Sequence, residues 1–266
     1  MDEFRLTHLI ERTLKRAQRV LFKIRDNPQR VGVNRFGDVT YNIDLESEQV
    51  IFEEFEKTGE GFTIISEEFG IKEINGGGMT VVVDPLDGSN NAVKGIPFCS
   101  ISIAISKGYL ISDILASGII NVANGNIMYS DSHRVFFNGE ARHPSNVTEP
   151  SSAISTIIPR LYYLNNKEYE EKLVKLLKQT KHPRFLGSAA MESAYVSVGL
   201  IDAFVELYPR LRVVDVAASL HMARTSGAYI NLLNIEGELN LNYDGRVSCL
   251  IAANNKLGHS YTEILK

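Results

Sequence analysis

The chain has 266 residues, 44% of them hydrophobic, and a formal charge of −4, which allows one large or two closely packed domains and argues against nonspecific nucleic-acid binding. Its two cysteines, Cys99 and Cys249, lie inside apolar runs, so neither a disulfide framework nor a cysteine metal site is expected. No apolar stretch reaches membrane-spanning length and Met1 to Arg5 lacks the order of a signal peptide, so the expectation is a cytoplasmic protein with no membrane association.

The spacing of Leu6, Leu9, Ile10, Leu14, Ala17, Val20 and Leu21 predicts an amphipathic helix over about Phe4 to Ile24, with Lys15, Arg16 and Arg19 on a solvated face. Val31 to Asp38 reads as a turn or mobile hairpin leading into Val39 to Ile43, and Asp44 opens a helix over Leu45 to Lys57. Strands are expected at Phe62 to Ile65, Thr80 to Val83, Phe98 to Ser106, Ile111 to Asn121 and Ile127 to Tyr129. A Ser/Pro-containing segment from His143 to Ser152 suggests a boundary near residue 150, dividing the chain into 1–149 and 150–266. Beyond it, strand patterns at Ile154 to Ile158 and Asp202 to Glu206 alternate with helices at Lys167 to Gln179, Ser188 to Val198 and Asp215 to Ser226, the last ending at Gly227.

The run Asp84-Pro85-Leu86-Asp87-Gly88-Ser89-Asn90-Asn91 follows the apolar strand Met79 to Val83 and carries the most chemistry. Two carboxylates leaving a buried strand for a Pro- and Gly-containing turn can converge on hard divalent cations, while the backbone N–H groups that follow face an anion. An EF-hand is rejected, because Leu86, Gly88 and Gly95 stand where its loop needs two acceptors and a Glu. The spacing also disfavours an aspartyl nucleophile, which leaves a metal site or a plain turn. Glu67 ends a second strand in Ser66-Glu67-Glu68, and Asp215 fronts a small-residue helix, where a cap and a metal ligand are equally good readings. Asp44 also reads as a cap, and an anionic substrate on this acidic chain needs bound cations.

These segments, with Gly187-Ser188-Ala189-Ala190, Val214-Asp215-Val216-Ala217-Ala218 and Ile251-Ala252-Ala253-Asn254-Asn255, resemble the inositol monophosphatase family along the whole chain. Within it the wording from Asp84 to Ser89, followed by Gly95-Ile96-Pro97-Phe98 and Ser100 to Ala104, is most similar to archaeal-type dual-activity fructose-1,6-bisphosphatase/inositol-1-monophosphatase enzymes. The resemblance implies an α+β class, a layered α-β-α-β-α sugar-phosphatase fold and a homodimer. It also implies hydrolysis of a small phosphorylated sugar or inositol by in-line attack of a water activated by two or three Mg2+ ions, with Mn2+ an alternative.

Carried over residue by residue, Glu67, Asp84 and the Leu86 carbonyl would hold one ion, and Asp84, Asp87 and Asp215 a second. Glu67 and Asp38 would serve a third. Ser89, linked to Asp44, would orient the nucleophilic water beside Glu67, and the phosphate would rest on the N–H groups of Gly88 and Ser89 at a helix N-terminus. The hydroxyl-bearing part of the substrate would meet Asp87 and the turn Gly187-Ser188-Ala189. The chain departs from the animal-type pattern between Glu206 and Val214, where Glu206-Leu-Tyr-Pro-Arg210-Leu-Arg212 is longer by two residues and leaves the role of Glu206 open. Arg184, Arg210 and Arg212 suggest a clamp for a second phosphate. A nucleotide phosphatase such as one for 3′-phosphoadenosine 5′-phosphate, and a non-catalytic metal-binding regulatory module, are the rival readings.

Overall fold

The structure is a computed structural model that describes residues 1–24, 28–34 and 37–266. The chain begins with α1 (Glu3–Ile24), β1 (Arg30–Val33), β2 (Val39–Tyr41) and α2 (Asn42–Glu56), then β3 (Phe62–Ser66), β4 (Gly70–Ile74), β5 (Met79–Asp87) and the short α3 (Ser89–Val93). It continues through β6 (Ser100–Ser106), β7 (Ile114–Asn121), β8 (Ile127–Ser130), β9 (Val135–Phe137), β10 (Glu140–Arg142) and β11 (Ile154–Ile157). The rest is α4 (Lys167–Gln179), β12 (His182–Arg184), α5 (Ala189–Ser197), β13 (Ala203–Leu211), α6 (Val213–Ser226), β14 (Tyr229–Leu232), β15 (Val247–Ala252) and α7 (Asn255–Leu265).

An eight-stranded sheet runs in the order β10-β9-β8-β7-β6-β5-β3-β4, and a five-stranded sheet in the order β12-β11-β13-β15-β14. Both are mixed, with β3 parallel to β5 and β11 parallel to β12 and β13. The alternating faces of β5 explain the layering: Val81 and Val83 join one apolar core with α1 and α2, while Val82 joins another with α5 and α6. Those two helices also pack on Phe204 and Cys249 of the second sheet, whose outer face is covered by α4 and α7 through Leu173, Leu176, Leu257 and Tyr261. The result is an α-β-α-β-α stack. Among the described residues no helix is long and apolar enough to cross a membrane.

Several elements differ from the sequence reading for identifiable reasons. β5 extends through the expected turn to Asp87, because a bulge pairs Asp84 with Ser102 and Asp87 with Ser100. Pro85, which lacks an N–H, lies inside that bulge, where no ladder donor is needed. Of the predicted hairpin Val31 to Asp38, residues 35–36 lie outside the described residues. The basic face of α1 is only partly solvated: Arg12 donates to Glu54 at 3.0 Å, and Arg16 pairs with Glu53 and Glu54, stapling α1 to α2.

Candidate active site

The carboxylates meet where the C-terminal ends of β3 and β5 reach the N-terminus of α6. Glu67 follows β3, in a turn pinned by buried Glu48, which accepts from the Ser66 hydroxyl and from the Phe69 N–H at 3.0 Å. Asp84 lies on the β5 bulge, and Asp215 in the first turn of α6. One ligand atom from each of Glu67, Asp84 and Asp215 lies within 4.8 Å of the others. Three buried carboxylates at such separations repel strongly without a cation.

Asp84 is fully buried, and its Oδ1 accepts from the Leu86 N–H at 3.0 Å. Its Oδ2 is buried with no hydrogen-bond partner. An orphaned oxygen on a carboxylate clustered with two others makes a donor set for a hard divalent cation. Burial raises the Asp84 carboxyl well above the usual carboxylate range, with Glu67, Asp87 and Asp215 adding to it. Burial raises Glu67 too, against the pull of Arg212.

Asp87 faces the same recess from the far end of β5, and its Oδ2 accepts from Ser188 Oγ at 2.6 Å and from the Ala190 N–H at 2.7 Å. Those bonds attach the first sheet to the start of α5. Burial pushes Asp87 up to about 7, reinforced by Asp215. Ser188 is buried and its hydroxyl is also bonded to Ser100 Oγ, so it orients Asp87 instead of lining the recess; Gly187 and Ala189 do line it or its extension.

Ser89 opens α3, where its Oγ lies 2.8 Å from the Leu86 carbonyl and 3.2 Å from Asp44 Oδ1. The second Asp44 oxygen accepts from the Tyr41 N–H at 2.6 Å, so one carboxylate caps α2 and reaches the site. Burial pushes Asp44 up to about 7, with Glu68 and Glu67 adding to the rise. Asp215 is divided in the same way: it accepts from the Arg212 N–H at 2.7 Å as a cap and still joins the carboxylate cluster.

Gly88, at φ 84°, puts the α3 N-terminus against the second half of the chain, and a Cβ there would lie 2.8 Å from the Gly187 carbonyl. That carbonyl and the Phe98 carbonyl, 3.2 Å from the same Cβ, are backbone and cannot yield as a flexible side chain can. Gly88→Ala is therefore expected to lower the melting temperature by several degrees and to depress turnover, checked by scanning fluorimetry beside a phosphate-release assay.

The predicted arginines separate. Arg212 is brought into the carboxylate cluster, paired with Glu67, with Asp215 at 2.8 Å and with Asp38 at 3.4 Å. Arg210 lines the recess, its guanidinium 5.9 Å from the Tyr162 ring. Arg184 is exposed on the edge strand β12, where it bonds the Pro183 carbonyl, and does not line the recess. Sequence reasoning missed Arg160 and Arg246, which do line it. Neither sits in a motif, and only the tertiary fold reveals them.

Buried acids fix a pH dependence. Asp44, Asp87 and Glu192 are each raised to about 7, chiefly by burial, so the folded chain binds more protons than the unfolded chain between about pH 4 and 7. Their favourable contribution is complete below the unfolded values and is lost as pH rises through 7. In chelator the melting temperature should therefore fall between pH 5.5 and pH 8, and added magnesium should raise it more at pH 8, where cations need not displace protons. A melting temperature that climbs with pH in chelator would contradict this account.

The family model for the inositol monophosphatase family matches residues 5–264. The chain belongs to the inositol monophosphatase family. A fructose-1,6-bisphosphatase/inositol-1-monophosphatase from Methanothermobacter thermautotrophicus is 31% identical over 265 residues, covering 95% of this chain and 92% of that protein. A bifunctional NADP phosphatase/NAD kinase from Methanococcus maripaludis is 25% identical, over 97% of this chain and 48% of that protein. Among solved structures of the inositol monophosphatase fold, the extragenic suppressor protein suhB from Bartonella henselae superposes with a TM-score of 0.82 at 27% identity, covering 98% of each chain.

Proposed function

We propose that the protein is a magnesium-dependent phosphomonoesterase that hydrolyses fructose 1,6-bisphosphate, inositol 1-phosphate or both. The observation that carries this reading is the convergence of Glu67, Asp84 and Asp215, with an orphaned oxygen on Asp84, beside the Ser89–Asp44 pair. The all-carboxylate donor set fits Mg2+, with Mn2+ an alternative. When bound, such ions neutralise phosphoryl charge and lower the pKa of water.

The chain's own groups supply the rest. The N–H groups at the start of α3 receive the phosphate, and Gly88 lets the backbone approach it. Ser89 and Asp44 orient and deprotonate the attacking water, a task suited to a carboxylate near 7. Asp87 and the Gly187 turn meet the alcohol that departs. The homodimer expected from the family belongs to the same proposal, and light scattering on the purified protein tests it.

Phosphate release from fructose 1,6-bisphosphate, inositol 1-phosphate, 3′-phosphoadenosine 5′-phosphate and NADP, with magnesium and with chelator, decides among the readings. Turnover of the sugar or inositol ester that vanishes in chelator supports this one. Turnover confined to the nucleotides assigns the nucleotide reading, which the NADP phosphatase relative favours. No release from any of them leaves a non-catalytic module.

A further inference from the structure

Glu206, whose role the sequence leaves open, is completely buried on β13. Its Oε2 accepts from Arg160 Nε at 2.9 Å and Nη2 at 2.5 Å, and its Oε1 from the Tyr208 N–H at 3.3 Å. A carboxylate enclosed behind a guanidinium in this way is not presented to a substrate hydroxyl. Its effect is to aim Arg160, whose side chain is 25% exposed and lines both the catalytic recess and its extension past Gly187.

The segment carrying Arg160 is rigidly supported. Its N–H donates to Tyr169 Oη at 2.7 Å, and Tyr169 meets Tyr208 edge to face, with Tyr163 stacked on Tyr208 at 3.7 Å. Arg210 and Arg246 line the recess on the same side, and Arg246 Nη1 donates to the Arg210 carbonyl at 3.4 Å. Cationic groups from the second sheet therefore face the carboxylates and the α3 amides of the first. A pre-aimed guanidinium beyond the reacting phosphate matches the forked geometry of another phosphate.

We propose that Arg160, aimed by buried Glu206, recognises a second phosphate on the leaving-group side of the substrate, so that the enzyme selects bisphosphorylated sugars over monophosphorylated polyols. The inference rests on the phosphomonoesterase reading. Arg160 acts in binding, and Glu206 is a positioning residue.

The test compares fructose 1,6-bisphosphate with fructose 1-phosphate, which share the reacting ester and differ only in the second phosphate. Wild-type enzyme with magnesium is expected to prefer the bisphosphate in kcat/KM by about tenfold to hundredfold, the value of charge-assisted hydrogen bonds to one phosphate. Arg160→Gln should collapse that ratio, through KM more than kcat, and Arg160→Lys should restore part of it. Glu206→Gln should reduce the ratio severalfold while Arg160 remains present, a change that loss of stability alone would not produce. An unchanged ratio in Arg160→Gln, or a wild-type enzyme indifferent to the second phosphate, overturns the proposal. Release from neither fructose ester while inositol 1-phosphate is hydrolysed with magnesium overturns the proposal and keeps the phosphomonoesterase reading, whereas release from none of the three removes both.

Discussion

Asp84→Asn is expected to lower kcat by at least about a thousandfold while leaving a folded protein, because it removes a buried charge at the centre of the cluster but almost no volume. Of the three clustered carboxylates, Asp84 alone has, among the described residues, a fully buried oxygen that lacks a hydrogen-bond partner. The amide would place an N–H where that orphaned oxygen lies, next to Glu67 and Asp215, so a repulsive contact becomes a hydrogen-bonding one. Metal-free Asp84→Asn should therefore melt at the same or a higher temperature than metal-free wild type, and magnesium should no longer raise it. The combination separates a cation ligand from a structural acid: a buried structural carboxylate replaced by an amide would lower stability and leave the magnesium response intact. Turnover within about tenfold of wild type, or a preserved magnesium-dependent shift, would sink the assignment.

How much of this was legible in the sequence differs residue by residue. The apolar run before Asp84 and the Ser66-Glu67-Glu68 ending were readable because a buried strand leaves a one-letter signature, and both carboxylates reach the cluster. Asp44 and Asp215 posed a choice between cap and site residue, and in the structure each makes both kinds of contact: a carboxylate has several lone pairs, and each of these uses some for its helix and others for its neighbours. The extension of β5 was hidden by Pro85 and Gly88, which locally spell a turn. The strands β12 and β14 are too short to stand out, whereas β15, apolar but for Ser248, and α7, amphipathic through Leu257, Tyr261, Ile264 and Leu265, carry a pattern that the expected elements left unassigned. The Arg160–Glu206 pair spans 46 positions and no motif, so only β11 lying against β13 brings it together.

Ser89→Ala is expected to reduce kcat by about a hundredfold with little change in KM, and Ser89→Thr to recover most of it. The Ser89 hydroxyl has one proton to give and two acceptors within reach, the Leu86 carbonyl at 2.8 Å and Asp44 Oδ1 at 3.2 Å, and Ser89 lines the recess. A water in the recess can thus donate to Ser89 while the hydroxyl donates onward to Asp44, which aims one water lone pair at phosphorus. Asp44 must be ionised to take up the proton that the water passes through Ser89, so kcat in wild type should rise with pH to a plateau through a value at or below about 7, since cations that offset Glu67 and Glu68 draw Asp44 downward. Without the hydroxyl the relay is broken, and Ser89→Ala should lose that acidic limb along with its rate. Thr retains the hydroxyl on a stiffer χ1, so it should keep both the limb and most of the turnover. If Ala matched wild type in kcat, or if the limb survived in Ala unchanged, the water would be oriented by Glu67 alone and Asp44 would be left with its role as the cap of α2.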